Sequence, residues 1–204
     1  MEPNPIVALP LMEHFYTLQG EGRFTGHASY FIRLGGCDVG CVWCDVKESW
    51  DASKHPLVPI TEIVASVVTS GTKIAVITGG EPMMHNLDAL TEMLKAKGIR
   101  THVETSGAHP LSGNWDWICL SPKKFKAPLD EMIAAAHELK TVIYNKSDFD
   151  WAEQYAAKVS KDCLLYLQPE WSRAAAMNPL IIDHVKANPQ WKFSLQTHKF
   201  LDIP

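Results

Sequence analysis

The sequence has 204 residues, of which 46% are hydrophobic, 21% charged and 9% aromatic, enough for one globular domain with a substantial core. That balance excludes a disordered chain, a collagen-like repeat and a bundle of membrane helices. A formal charge of −4 leaves no basic excess for a nonspecific nucleic-acid surface, and five cysteines are too few for a disulfide scaffold.

Met1-Glu2-Pro3-Asn4-Pro5 lacks the basic and apolar regions of a signal peptide. No apolar stretch approaches the ~20 residues of a membrane span. A cytoplasmic protein with reduced cysteines and no membrane or nucleic-acid partner is expected. Ala28–Leu34 reads as a strand, Thr61–Thr69 as a helix, and the apolar run Lys73–Thr78 as a strand buried on both faces. Asn86 is the expected N-cap of a helix over Leu87–Lys97, with Leu87, Leu90, Met93 and Leu94 on one stripe and Gly98 after its end. Strands are expected at Arg100–Glu104, Trp117–Leu120, Lys140–Ile143, Leu164–Leu167 and Lys192–Leu195. Helices are expected at Leu129–His137, Asp150–Lys158 and Ser172–Ala187.

This α/β alternation implies parallel pairing with right-handed crossovers. A complete eight-fold barrel takes ~250 residues, so a partial, open parallel β/α barrel of about six strands is expected. Active sites in such folds gather at the C-terminal strand ends.

Cys37, Cys41 and Cys44 form a C-x3-C-x2-C pattern in the loop after the first of these strands, among Gly35, Gly36 and Gly40, which permit unusual backbone angles. Three thiolates at this spacing can wrap one cubane. A [4Fe–4S] cluster usually takes four cysteines, so three leave one iron open. Structural zinc prefers four closed ligands and has no fourth nearby. A dithiol pair of Cys41 and Cys44 leaves Cys37 without a role. Cys119 and Cys163 fall in or beside predicted strands and read as core residues. Thr78-Gly79-Gly80-Glu81-Pro82 follows the next predicted strand; the glycines would let the backbone approach a ligand, and Glu81 would accept from an ammonium group.

The cysteine loop resembles that of the radical S-adenosylmethionine (SAM) superfamily, in which SAM chelates the open iron and is cleaved reductively to a 5′-deoxyadenosyl radical. The resemblance implies SAM contacts at Trp43, Asp45, Gly80, Glu81, Glu104, Ser106, Ser121, Lys123 and Gln168. Phe15-Tyr16-Thr17-Leu18-Gln19-Gly20-Glu21-Gly22, Arg33 and Leu195-Gln196-Thr197-His198-Lys199 narrow it: over nearly its whole length the chain is similar to the 7-carboxy-7-deazaguanine synthase family. That resemblance implies a lyase converting 6-carboxy-5,6,7,8-tetrahydropterin to 7-carboxy-7-deazaguanine with loss of ammonia, on the route to queuosine. Substrate contacts follow at Leu18, Gln19, Gly20, Glu21, Arg33, Thr78, His198 and Pro204. Residues 1–27 would form a substrate-binding extension to a barrel over 28–204.

The same resemblance implies a reductant such as flavodoxin or ferredoxin, a homodimer, and Mg²⁺. One departure bears on the metal: the family's usual threonine after Cys-Asp is Val46 here, which has no side-chain oxygen. Lys47 either supplies part of the missing charge or is an ordinary solvated residue. Two alternatives share the cysteine loop, a glycyl-radical activating enzyme and a non-catalytic zinc-binding module.

Overall fold

A computed structural model describes residues 7–204; the reading of Met1–Pro5 falls outside the described residues. The chain runs through β1 (Ala8–Leu18), β2 (Ala28–Leu34), β3 (Leu57–Pro59), α1 (Ile60–Thr69), β4 (Ile74–Gly79), α2 (Asp88–Ala96) and β5 (Arg100–Thr105). It continues through β6 (Trp117–Leu120), α3 (Asp130–Ala135), β7 (Glu138–Ile143), α4 (Ser147–Ala156), β8 (Leu164–Pro169), α5 (Ala174–Ala187), β9 (Trp191–Phe193) and α6 (Thr197–Leu201).

The nine strands of the described residues form one sheet in the order β3-β1-β2-β4-β5-β6-β7-β8-β9. From β2 to β9 every pairing is parallel, which makes seven parallel strands against the expected count of about six. The expected architecture, an open parallel β/α barrel, is what the chain forms. Residues 8–18, expected in an extension outside the barrel, make a long strand antiparallel to β2, and Leu57–Pro59 adds a short edge strand to it.

The core lies between the sheet and its helices. Ile32, Ile77, Val103, Leu120, Leu139 and Leu167 are fully buried, one from each of β2, β4, β5, β6, β7 and β8. α1 covers its side of the sheet with Ile60, Ile63, Val64 and Val67, a spacing of three and four residues that puts all four on one stripe. Leu87, expected inside the next helix, is instead the residue before α2; Asn86 reaches past it, accepting from Asp88 N at 3.0 Å. Cys119 and Cys163 are buried, as core residues should be.

The turn between β1 and β2 folds into the barrel rather than away from it. Phe24 packs against His102 at 4.5 Å and Trp117 at 5.0 Å between ring centroids, at the starts of β5 and β6. These aromatics fill the N-terminal end of the barrel, so the preceding Gln19-Gly20-Glu21 becomes the floor of the space above.

Candidate active site

Above that floor lies a cavity of about 310 Å³, within the range of small-molecule sites. Cys37, Cys41 and Cys44 line it, and so does every other residue predicted to contact a ligand. Those are Trp43, Asp45, Gly80, Glu81, Glu104 and Ser106; Ser121, Lys123, Gln168, Leu18, Gln19 and Gly20; and Glu21, Arg33, Thr78, His198 and Pro204. Twenty side chains and turns scattered from position 18 to 204 are brought to one place by the parallel strands and the inward turn.

The cysteine loop is shaped by its own backbone. Gly36 (φ 105°) and Gly40 (φ 72°) take left-handed angles; Gly35 does not, and its missing Cβ makes room for the His55 ring. Cys41 is buried with Val39 and Ala108, and Cys37, Trp43 and Cys44 pack against that group. Burial pushes the Cys41 thiol up to about 11 and raises Cys37 as well, so metal loading must displace protons. Among the described residues, no three or more His, Cys, Asp and Glu side chains lie close enough to hold a single metal ion. Three cysteine donors from one loop, with no closed set of ligands for a mononuclear site, suit an iron–sulfur cluster better than one zinc ion.

Gly79 and Gly80 line the cavity and are also required by packing. A Cβ on either would strike the backbone of Leu34 or Gly36, because Gly80 N donates to Leu34 O at 2.9 Å and Glu81 N to Gly36 O at 2.8 Å. The glycines seat this loop against the cysteine loop. Glu81 is also internally engaged: its carboxylate accepts from Met83 N (3.1 Å), Thr105 Oγ1 (2.5 Å), Ser106 N (2.7 Å) and Ser106 Oγ (2.5 Å). Four bonds use a carboxylate's acceptor positions, so Glu81 locks three loops together and offers no free oxygen to an ammonium group. Lys123 donates to Ser121 O (2.8 Å) and Oγ (2.5 Å), and its ammonium lies 5.7 Å from the Trp43 ring centroid. Burial lowers the Lys123 pKa, opposed mainly by the nearby Cys41.

The floor joins the two ends of the chain. Thr197 donates to Gly20 O through N (2.9 Å) and Oγ1 (3.0 Å), and a side chain at Gly20 would collide with the His198 ring. Gly22 N donates to Ser194 Oγ at 3.0 Å, which donates onward to Gln168 Oε1 at 2.8 Å. Glu104, grouped from the sequence with SAM contacts, bonds to the floor and to β7: Gln19 Nε2 donates to Glu104 Oε1 at 3.1 Å, and Lys140 Nζ to Glu104 Oε2 at 2.6 Å. Lys140 reaches Glu21 Oε2 as well, at 2.5 Å. Burial works to raise the Glu21 pKa, but the Lys140 ammonium and the Gln196 hydrogen bond together hold the carboxyl down to about 2. Burial lowers His198, with Glu21 opposing.

Arg33 and Thr78 are register partners on β2 and β4 and face the same space. Arg33 Nε lies 2.6 Å from Glu13 Oε1 but off its N–H axis, an ion pair rather than a hydrogen bond, and its Cζ is 5.8 Å from the Phe15 ring centroid. Phe15 stacks on Phe31 at 5.5 Å, giving the cavity an aromatic wall. That wall, Trp50 and Lys140 were not predicted. A stacked pair one strand apart shows only once register is known, and a lysine within a strand carries no sign of which face it joins. Lys47 is exposed, 6.0 Å from the Trp50 ring centroid and outside the cavity lining; of its two readings, the solvated one holds. Asp45, beside Val46, is paired with Lys199 at 3.1 Å.

Residues 31–142 match the model of the radical SAM superfamily. The chain is 57% identical to a 7-carboxy-7-deazaguanine synthase of Flavobacterium psychrophilum, over 96% of this chain and 93% of that one. The chain belongs to the 7-carboxy-7-deazaguanine synthase family. It is 50% identical to the Synechocystis synthase over 97% of its own length and 94% of that protein's. The crystal structure of QueE from Escherichia coli matches it with a TM-score of 0.82 at 31% identity, covering 92% of this chain and 93% of that one. Membership of this family does not favour the glycyl-radical and zinc-module alternatives. No helix among the described residues is long and apolar enough to cross a membrane.

Proposed function

We propose that this family member contracts the ring of 6-carboxy-5,6,7,8-tetrahydropterin to 7-carboxy-7-deazaguanine with loss of ammonia, a step toward queuosine. The observation that carries the reading is the interlock of Gln19-Gly20-Glu21 with Gln196-Thr197-His198 in the same cavity as the three-cysteine loop. Cys37, Cys41 and Cys44 fit a [4Fe–4S] cluster, and the polar groups at Ser106, Ser121, Lys123 and Gln168 fit SAM. When bound, the cluster and SAM supply reductively triggered, hydrogen-abstracting radical chemistry.

The chain's own residues would then bind and orient. The Arg33 fork suits the pterin carboxylate. Glu21, ionised at neutral pH, accepts from the N–H groups of the pterin edge, while the backbone of Leu18-Gln19-Gly20 offers further donors and acceptors. Phe15 and Phe31 exclude water along one wall. The Lys123 ammonium provides positive charge toward the SAM carboxylate. His198, kept neutral by burial, offers one ring donor or acceptor beside Gly20, and Thr78 and Pro204 complete the substrate side.

The lining does not fit Mg²⁺: Val46 has no side-chain oxygen and Asp45 is paired with Lys199. A cytoplasmic homodimer reduced by a flavodoxin- or ferredoxin-type protein completes the reading; free cysteines support a reducing compartment, and the family resemblance carries the rest. Anaerobic incubation with SAM, dithionite and the pterin tests it. The deazapurine and ammonia should form, and Cys41→Ala should abolish both. SAM cleavage without deazapurine would overturn the assignment.

A further inference from the structure

Lys140 is the most deeply buried ammonium on the cavity wall, 3% exposed, and it stands between two carboxylates that come from different parts of the chain. Glu21 belongs to the floor turn and Glu104 to β5. Their side chains are 17% and 20% exposed, so water screens them little. The other groups around Lys140 are Cys119 on β6, Glu138 beside it on β7, Lys123 after β6, and His198 on the last helix. Glu138 is turned to the barrel's other end, accepting from Arg23 N at 3.1 Å and Trp117 Nε1 at 3.2 Å. Burial raises the Cys119 thiol, which leaves it neutral. Lys140 is therefore the cation that both Glu21 and Glu104 contact.

We propose that Lys140 is a positioning residue for the pterin: its shared ammonium holds Glu21 and Glu104 as a pair of carboxylates, so that Glu21 presents an acceptor to the N–H groups of the substrate. This rests on the pterin reading given above. Two carboxylates drawn together without a cation share a proton, since a like charge disfavours ionisation of its neighbour. A protonated Glu21 would meet the pterin edge as a donor facing donors. Lys140 thus sets the hydrogen-bond polarity of the floor without touching the reacting atoms.

The test uses cluster-loaded enzyme with SAM and the fluorescent analogue 6-carboxypterin, comparing wild type, Lys140→Met, Lys140→Arg and the double variant Lys140→Met/Glu104→Gln. Iron content and thermal midpoint establish that each variant is folded and loaded. Lys140→Met should weaken binding at neutral pH by about 10- to 100-fold, the worth of a hydrogen bond to a charged group. Binding should recover as pH rises, whereas wild type stays flat. Lys140→Arg should retain most of the affinity. Removing the competing charge with Glu104→Gln should rescue Lys140→Met, a result that loss of packing alone does not give.

Infrared difference spectra read the floor without any pterin: a protonated carboxyl band should appear in Lys140→Met at neutral pH and vanish in the double variant. Pterin binding that is equally tight and pH-independent in wild type and Lys140→Met, or absence of the carboxyl band from a folded Lys140→Met, overturns the proposal. A wild type that shows the expected band pattern in its variants yet binds no pterin supports the charge assignment and overturns the substrate reading instead.

Discussion

Gln196 Nε2 donates to Glu21 Oε1 at 2.9 Å, joining residues 175 positions apart in the chain. Glu21 thereby has both oxygens tied, one to a neutral amide and one to the Lys140 ammonium, and its carboxylate plane is fixed. Replacing Gln196 with Ala should free one of those oxygens. A hydrogen bond to a charged group contributes about 1.5–3 kcal/mol, so kcat/KM for the pterin should fall by roughly one to two orders of magnitude. Iron content and SAM cleavage should hold. Unchanged kcat/KM would show that Glu21 is oriented without Gln196.

Gly20 is constrained from above by the His198 ring, and Gly20→Ala should force the two apart. Overpacking of this kind costs about 1–3 kcal/mol, which for a chain of this size lowers the thermal midpoint by a few degrees per kcal/mol. Adding His198→Ala should return much of that stability but not the activity. A calorimetric comparison of the two single variants and the double variant checks the coupling.

Burial would raise the Glu21 pKa, but Lys140 and Gln196 together outweigh it, leaving a folded value of about 2 against an ordinary 4.5. A depressed carboxylate contributes stability that is fully present above its unfolded pKa and is lost as pH falls through its folded one. The window is therefore about pH 4.5 down to about 2, and a shift of this kind contributes about 3 kcal/mol. Wild type should lose stability over that window more steeply than Glu21→Gln. Parallel acid limbs for the two proteins in urea titrations would contradict it.

Val46 puts two methyl groups where a hard cation would need oxygen. Turnover by the wild type should change by less than about twofold on adding millimolar Mg²⁺. Val46→Thr should create a Mg²⁺ response. Strong stimulation of the wild type would mean that other oxygens assemble with the substrate.

Much of this was legible in the residues. The β-branched and apolar run at Lys73–Thr78 marks a strand covered on both faces, Leu164–Leu167 is readable as a strand, and the cysteine spacing announces its chemistry locally. β1 was harder: Pro10 interrupts its alternation, and its partner β2 becomes identifiable only when the turn between them is seen to fold inward. Asn86 has the right side chain for a cap, yet Leu87 intervenes because its burial fixes where the helix can begin. Glu81 and Lys140 show the deeper limit. A motif places a carboxylate or an ammonium in a loop or strand, but whether it serves a ligand or the protein depends on neighbours from distant strands.

Phe24, His102 and Trp117 cork one end of the barrel, while Asp45 and Trp171, exposed residues of the lining, follow the C-terminal ends of β2 and β8 at the other. With that end filled by aromatic rings, guests should enter from the C-terminal rim. Whichever guest sits deepest must arrive first and depart last, so steady-state kinetics should display a compulsory order of addition.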